Sequence, residues 1–303
     1  MGAAVECFSR QRRAVITIEA FAKVNLTLEV LKRRPDGFHE IRSVMQSIRL
    51  CDKLFFEPDK DLNYQCALLD WNAEESLISR AAELLARHIG TQYGAKIVLD
   101  KHIPLSSGLG GDSSDAAAVL RGLKHLWDVD IPSSELASMA AELGSDAPFF
   151  LSGGTALARG RGEVISVLPV MPYAWLVLLF PDVAVPVSKT ASMYAMLRPE
   201  HFTNGTRTDA LMTRLTHGAA VTSEDLFNVF DEVACDVFLG LESYRAEFER
   251  AAGVSVHLAG AGPTLFALFN EEDQAYRTQQ RLQDAGMNTY LAATYNLMAQ
   301  DKR

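Results

Sequence analysis

The chain has 303 residues, 48% hydrophobic and 22% charged, with a formal net charge of −9. That length favours two domains, each with its own core, and the acidic balance argues against a non-specific nucleic-acid or membrane-surface binder. No apolar run nears the roughly 20 residues of a membrane span. The four cysteines (Cys7, Cys51, Cys66, Cys235) show neither disulfide nor zinc-ligand spacing, as expected of a cytoplasmic protein without a protein-held metal centre.

Residues 1–13 read as an extension. From Val15 the pattern becomes strand-like: Ala22, Val24, Leu26, Leu28 and Val30 alternate with Lys23, Asn25, Thr27 and Glu29. Period-2 alternation puts Lys23 and Asn25 on one face, and a lysine on such a face is ordinarily solvated. A Pro-Asp-Gly turn at 35–37 reverses the chain, and IRSVMQSI and KLFFE read as two further strands. EESLISRAAELLARHI (74–89) has helical spacing, and AKIVLD (95–100) returns as a strand.

Residues 104–118, PLSSGLGGDSSDAAA, place Gly108, Gly110 and Gly111 ahead of a helix running to Trp127. Asp112, Ser113 and Ser114 are N-cap types, so a glycine loop feeds a helix N-terminus, whose N–H groups and dipole suit phosphate. The loop is not a Walker A sequence, for no Lys-Ser/Thr follows, and it lacks the third glycine of a dinucleotide fingerprint. Taken alone it also fits an ordinary glycine-rich connection. A helix from Pro132 ends before Gly144, a candidate left-handed C′ glycine. Asp146 follows in SDAPFF, and short strands punctuated by glycines are expected through 165.

The second half is expected to begin near Met171. WLVLLF (175–180) reads as a buried strand, residues 225–238 and 240–253 as helices, and VSVHL and TLFALF as strands joined by AGAGP (259–263). A helix from 273 and a strand from 288 complete a split βαβ, ferredoxin-like order. Three polar clusters emerge: Lys23 with Asn25, the glycine loop, and Asp146. Phosphoryl transfer to an alcohol needs a phosphate cradle, a cation, a carboxylate near the acceptor hydroxyl and usually magnesium. The clusters offer the first three.

These residues resemble the galactokinase, homoserine kinase, mevalonate kinase and phosphomevalonate kinase (GHMP kinase) superfamily, in AKVNLTLEV (22–30), RPDGFHEIRSV (34–44), IPLSSGLGGDSSDAAAVL (103–120), GSDAPFFLSGGTALARGRGE (144–163) and AGAGPTLFAL (259–268). The second and fourth segments resemble the branch acting on cytidyl-diphosphate methylerythritol in non-mevalonate isoprenoid synthesis. The resemblance implies an α+β, two-domain GHMP kinase fold. Residues 1–170 would form an N-terminal α/β (ribosomal protein S5 domain 2-like) ATP-binding domain, and residues 171–303 a ferredoxin-like C-terminal domain. It implies ATP and Mg2+, a small-molecule substrate, no nucleic acid or membrane partner, and a monomer or weak homodimer.

Residue by residue, the resemblance makes Asp146 the proton acceptor and Lys23 the cation beside the acceptor hydroxyl. Asn25 would bind the methylerythritol part. Pro104, Leu105, Ser106, Ser107, Gly108, Leu109, Gly110, Gly111, Asp112, Ser113 and Ser114 would wrap the ATP phosphates, with Lys101 near the nucleotide. Phe38 and Tyr194 would sandwich cytosine while His39 reads its edge. Asp112 stands where the family has glycine, and is expected to cap the helix or to face bound magnesium. Ser76 stands where asparagine is common near the adenine, and SKTASMY (188–194) is one residue longer than the usual tract. Another GHMP small-molecule kinase and a non-catalytic metabolite sensor remain as alternatives.

Overall fold

The computed structural model describes residues 15–68, 71–74, 76–90 and 93–296. The expected N-terminal extension, with Cys7, lies outside them. The chain opens with a long hairpin of β1 (Ile16–Arg33) and β2 (His39–Asp59). The Pro-Asp-Gly turn closes it, with Gly37 at φ 85° and Asp36 Oδ1 accepting the Phe38 N–H at 3.1 Å. The two segments expected as separate strands are one continuous strand, β2. Its first half pairs with β5 (Thr155–Gly160) and its second with β4 (Gly94–Asp100), so different neighbours hold one extended chain.

β3 (Leu62–Cys66) lies parallel to β4, and the connection carries α1 (Leu77–Ile89), begun by Ser76 as N-cap and ended by left-handed Gly90. The glycine loop then leads into α2 (Gly111–Leu126), buried against β1 and β2. Here Gly122 is required, because a Cβ there would stand 2.4 Å from the Phe56 ring. α3 (Ser133–Leu143) follows. Gly144, expected as a left-handed C′ residue, is extended at φ 174°, which carries the chain straight into α4 (Ala147–Ser152). APFFLS is therefore helical, not strand as expected: buried Phe149 and Phe150 anchor a helix too short to show a period. β5 and β6 (Val164–Val167) complete this half.

In the second half β7 (Trp175–Leu179) leads to α5 (Lys189–Met196) and α6 (Thr206–Thr216). The expected helix over 225–238 instead holds β8 (Phe227–Asn228), a 3-10 turn and α7 (Ala234–Val237). Tertiary contacts override its helical spacing. The Asn228 amide donates to the carbonyls of Leu258 and Gly260, both at 2.8 Å, and β8 joins the first sheet parallel to β1. Then come α8 (Leu241–Ala252), β9 (His257–Leu258), β10 (Leu265–Phe269), α9 (Glu272–Asp284) and β11 (Thr289–Ala293).

The second sheet runs β11-β7-β10-β9 and is antiparallel throughout, the expected ferredoxin-like order. β7 shows why WLVLLF carries no polar alternation. Val177 and Leu179 pack with α8 and α9, whereas Leu176 and Leu178 pack against Val24, Leu26 and Ile48 of the first sheet. Both faces are buried. Each half keeps apolar packing of its own, around α1, α2 and α3 in the first and α8 and α9 in the second, and a further apolar layer is shared between them. Among the described residues no helix is long and apolar enough to cross a membrane.

Candidate active site

A cleft of about 1330 Å³ lies between the halves, lined by the glycine loop, the β1–β2 turn, the start of α4, residues 186–202 and the 259–263 loop. Two glycine loops meet on its floor. A Cβ on Gly108 would stand 2.1 Å from the Ala259 carbonyl oxygen, and Gly108 has φ 91°, so only glycine fits. The Lys23 N–H donates to the Leu109 carbonyl at 2.9 Å, and Thr264 N–H to that of Ser107 at 3.3 Å, fixing the loop to β1 and to the second half.

Lys23 and Asn25 share a face, as expected, but that face is the wall of the cleft and not open solvent; each residue is 3% exposed. The Lys23 ammonium donates to Asn25 Oδ1 at 2.7 Å and lies 3.1 Å from Asp146 Oδ2. Asn25 in turn donates to Ser43 Oγ at 2.7 Å, and Ser43 to the Thr27 carbonyl at 2.6 Å, so the polar chain fixes Lys23 from beneath. Asp146 sits at the N-terminus of α4, and its side chain is one-third exposed to the cleft. Gly110 lets this pair form, since a Cβ would strike the Phe150 ring at 2.7 Å and Lys23 Cε at 3.2 Å. A fixed cation beside a partly exposed carboxylate, next to the glycine loop at the start of α2, suits proton acceptance from an alcohol and stabilisation of phosphoryl charge.

Of the expected phosphate-loop residues, Pro104, Ser106, Ser107, Gly108, Gly110, Gly111, Asp112 and Ser113 line the cleft. Leu105 is exposed outside it, Leu109 is buried, and Ser114 Oγ donates to the Phe21 carbonyl at 2.8 Å. Asp112 is not the helix cap that the sequence suggests. Gly110, left-handed at φ 75°, takes that position without a side-chain cap, so Asp112 falls inside the first turn, exposed, with Oδ1 3.8 Å from the Lys101 ammonium.

Lys101 does not line the cleft. It is buried beneath the helix N-terminus, 2.7 Å from both Asp52 and Asp115. Burial works against its charge, but the two carboxylates outweigh it and raise its pKa. Burial, and repulsion from Asp52, hold Asp115 above the usual carboxylate range despite the lysine. Asp52 Oδ1 also accepts the N–H groups of His102 and Ile103. The triad therefore shapes the start of the glycine loop. Sequence reading passed over Asp52, which has no local signature, and gave Asp115, within the glycine-loop segment, no role.

At the far end, Phe38 is half exposed with the Arg161 guanidinium 4.8 Å over its ring, while Tyr194 is stacked on His39 at 4.9 Å and edge-on to Phe230. Tyr194 thus backs His39, and both Phe38 and Tyr194 line this end of the cleft. Burial, then the nearby Arg33 charge, lower the His39 pKa and favour a neutral imidazole with one donor and one acceptor nitrogen. Lys189, at the start of α5, also lines the cleft, and nothing near it in sequence marks it.

Two family models match the chain: the GHMP kinases N terminal domain over residues 76–154 and the GHMP kinases C terminal domain over residues 221–288. A 4-diphosphocytidyl-2-C-methyl-D-erythritol kinase of Dehalococcoides mccartyi is 46% identical over 280 residues, covering 92% of this chain and 98% of that one. A crystal structure of a 4-(cytidine 5'-diphospho)-2C-methyl-D-erythritol kinase superposes with a TM-score of 0.78 at 34% identity, covering 93% of this chain and all of the other. Homoserine kinase from Cytophaga hutchinsonii, at 16% identity and a TM-score of 0.71 over 93% of this chain and 95% of its own, shares the fold.

Proposed function

This chain belongs to the 4-diphosphocytidyl-2-C-methyl-D-erythritol kinases of the GHMP superfamily, and from that premise we propose how its residues transfer phosphate. It is an ATP-dependent small-molecule kinase, phosphorylating the C2 hydroxyl of 4-diphosphocytidyl-2-C-methyl-D-erythritol to the 2-phosphate and ADP. The observation that carries the residue assignment is the Lys23–Asp146 pair, 3.1 Å apart on the cleft floor beside the phosphate loop.

Asp146 accepts the hydroxyl proton as the oxygen attacks the γ-phosphorus. Lys23, held by Asn25, keeps that carboxylate charged and offsets charge on the transferred group. Backbone N–H groups of the 108–113 segment and the α2 dipole take the nucleotide phosphates. Gly108 and Gly110 are needed there because a Cβ would drive the two loops, or Lys23 and Phe150, apart. Among the described residues no three His, Cys, Asp or Glu cluster as metal ligands. Magnesium would be carried by the nucleotide's phosphate oxygens and would neutralise their charge, with exposed Asp112 of the first α2 turn the carboxylate that lines the cleft there.

Phe38 offers a stacking face for cytosine, and the neutral His39, oriented by Tyr194, reads the base edge. A mevalonate or homoserine kinase would have no use for that base reader. The test is ADP release with the cytidyl substrate, mevalonate and homoserine side by side. Turnover confined to the cytidyl compound is expected. Equal use of mevalonate would overturn the substrate, and no ADP release with any of the three would favour a sensor.

A further inference from the structure

Three lysines surround the phosphate loop, and they are compensated differently. Lys23 has Asp146 at 3.1 Å, and Lys101 has Asp52 and Asp115 at 2.7 Å each. Lys189 has only neutral oxygens. Its ammonium donates to the Ser106 carbonyl at 2.8 Å and to the Gly262 carbonyl, one from each glycine loop. Among the described residues no carboxylate lies within ion-pair range of it. Ser106 itself is held at φ 54°, a region serine rarely adopts. A cation half-withdrawn from water with no counter-charge is costly unless an anion arrives, and an ammonium carries three donors, of which two are used.

We propose that Lys189 is a substrate-contacting cation of the phosphate site, which exchanges the carbonyls of Ser106 and Gly262 for phosphate oxygens when a polyphosphate enters the cleft. The inference rests on the kinase reading above. The charged groups facing Lys189 are Lys23 from β1, Asp112 from α2 and Asp146 at the start of α4. Burial first, then repulsion from Lys23, bring its pKa down to about 8, against the pull of the two aspartates. Phosphate would reverse that balance. Because the ammonium touches both loops, the exchange would also report in one loop what is bound at the other.

The ligand chemistry has two sources, the nucleotide and the acceptor's diphosphate, so two probes are used: magnesium with AMP-PNP, and cytidine diphosphate. Affinities are measured calorimetrically at pH 7 and 9 for the wild type, Lys189→Arg and Lys189→Met. Lys189→Met should weaken binding at pH 7 by about 10- to 100-fold, the scale of one charge-assisted hydrogen bond. The wild type should lose about tenfold in affinity between pH 7 and pH 9, as one required proton leaves. Lys189→Arg should keep its affinity at both, since arginine stays charged.

A loss in the AMP-PNP arm assigns the contact to the nucleotide, and a loss only in the cytidine diphosphate arm assigns it to the acceptor. Lys189→Met within about twofold of wild type in both arms, or a wild-type pH profile surviving in that variant, overturns the proposal. So does a variant that only melts earlier, which would make Lys189 a staple between the loops. Wild-type turnover of the cytidyl substrate, measured separately, tests the kinase reading without reference to Lys189.

Discussion

Asp146→Asn isolates the proton acceptor, because it keeps the side chain's shape and leaves the backbone bond from Phe149 N–H to the residue 146 carbonyl intact. At 3.1 Å, two unit charges attract by about 5 kcal/mol at an effective dielectric of 20. Solvent screening reduces this, since Asp146 is one-third exposed. The variant leaves Lys23, 3% exposed, with Asn25 Oδ1 as its remaining acceptor here. We expect a stability loss of about 1–3 kcal/mol, less than the full cost of an orphaned buried charge, and a melting temperature lower by about 2–6 °C. Turnover should fall by about 10²–10⁴, the range for a positioned proton acceptor, with the KM for the cytidyl substrate little changed. The double variant Lys23→Met/Asp146→Asn removes the orphaned cation. Its melting temperature should recover while turnover stays near that of the worse single variant, because the two groups act as a unit. ADP release and thermal melting measure both. If Asp146→Asn kept turnover within about tenfold of the wild type, below the range just given, the assigned role would fail. Multiplicative losses in the double variant would refute the unit.

Lys101→Met should lower the denaturant midpoint steeply, by about 3–5 kcal/mol of stability, because it strands two buried carboxylates; a collapse of AMP-PNP affinity with stability intact would instead put this ammonium on the nucleotide. Tyr194→Ala removes the ring stacked on His39 and should weaken substrate binding by about 0.5–1.5 kcal/mol, the scale of one aromatic pair. His39→Ala should erode discrimination between cytidyl and uridyl substrates, and equal use of both by the wild type would sink the base reader. The Lys189 pKa of about 8 lies below the ordinary 10.5, so the unfolded chain binds more protons between those values, and this residue's contribution to stability rises with pH across that window. Denaturation at a series of pH values should show that rise flattened in Lys189→Met, and an identical pH dependence in both proteins would remove the depressed pKa.

Where local pattern and tertiary environment agree, the fold could be read from sequence. The strand over 22–30 and the hairpin at AGAGP emerge as expected, although a register shift between Asn25 and Thr27 interrupts the strand and both of its faces are buried. The misreadings have tertiary causes. β2 is one strand because β5 and β4 take over from each other along its edge, and residues 225–238 leave the helical path because Asn228 is tied to the 258–260 backbone. Within the site, Lys23, Asn25 and Asp146 were visible because side-chain type and chemistry coincide. The resemblance put Lys101 near the nucleotide, yet its partners here are buried aspartates. Lys189 reaches the same loop from 83 positions away, a distance no local motif spans.

Strand β8, contributed by the second half, hydrogen-bonds to β1 in the first sheet, and Thr294 bridges to Ile48 of β2. Leu176, Leu178 and Phe266 fill the same apolar layer as Val24 and Leu26. Swinging the halves apart as rigid jaws would break these backbone pairs and expose that layer together. The shared layer therefore ties the width of the cleft to the packing of the folded chain. Compounds come and go past the rim, where Val187 stands fully in solvent and Phe38 half so. An inhibitor for this protein should accordingly be shaped to a fixed slot, with its adaptable parts reserved for the edge.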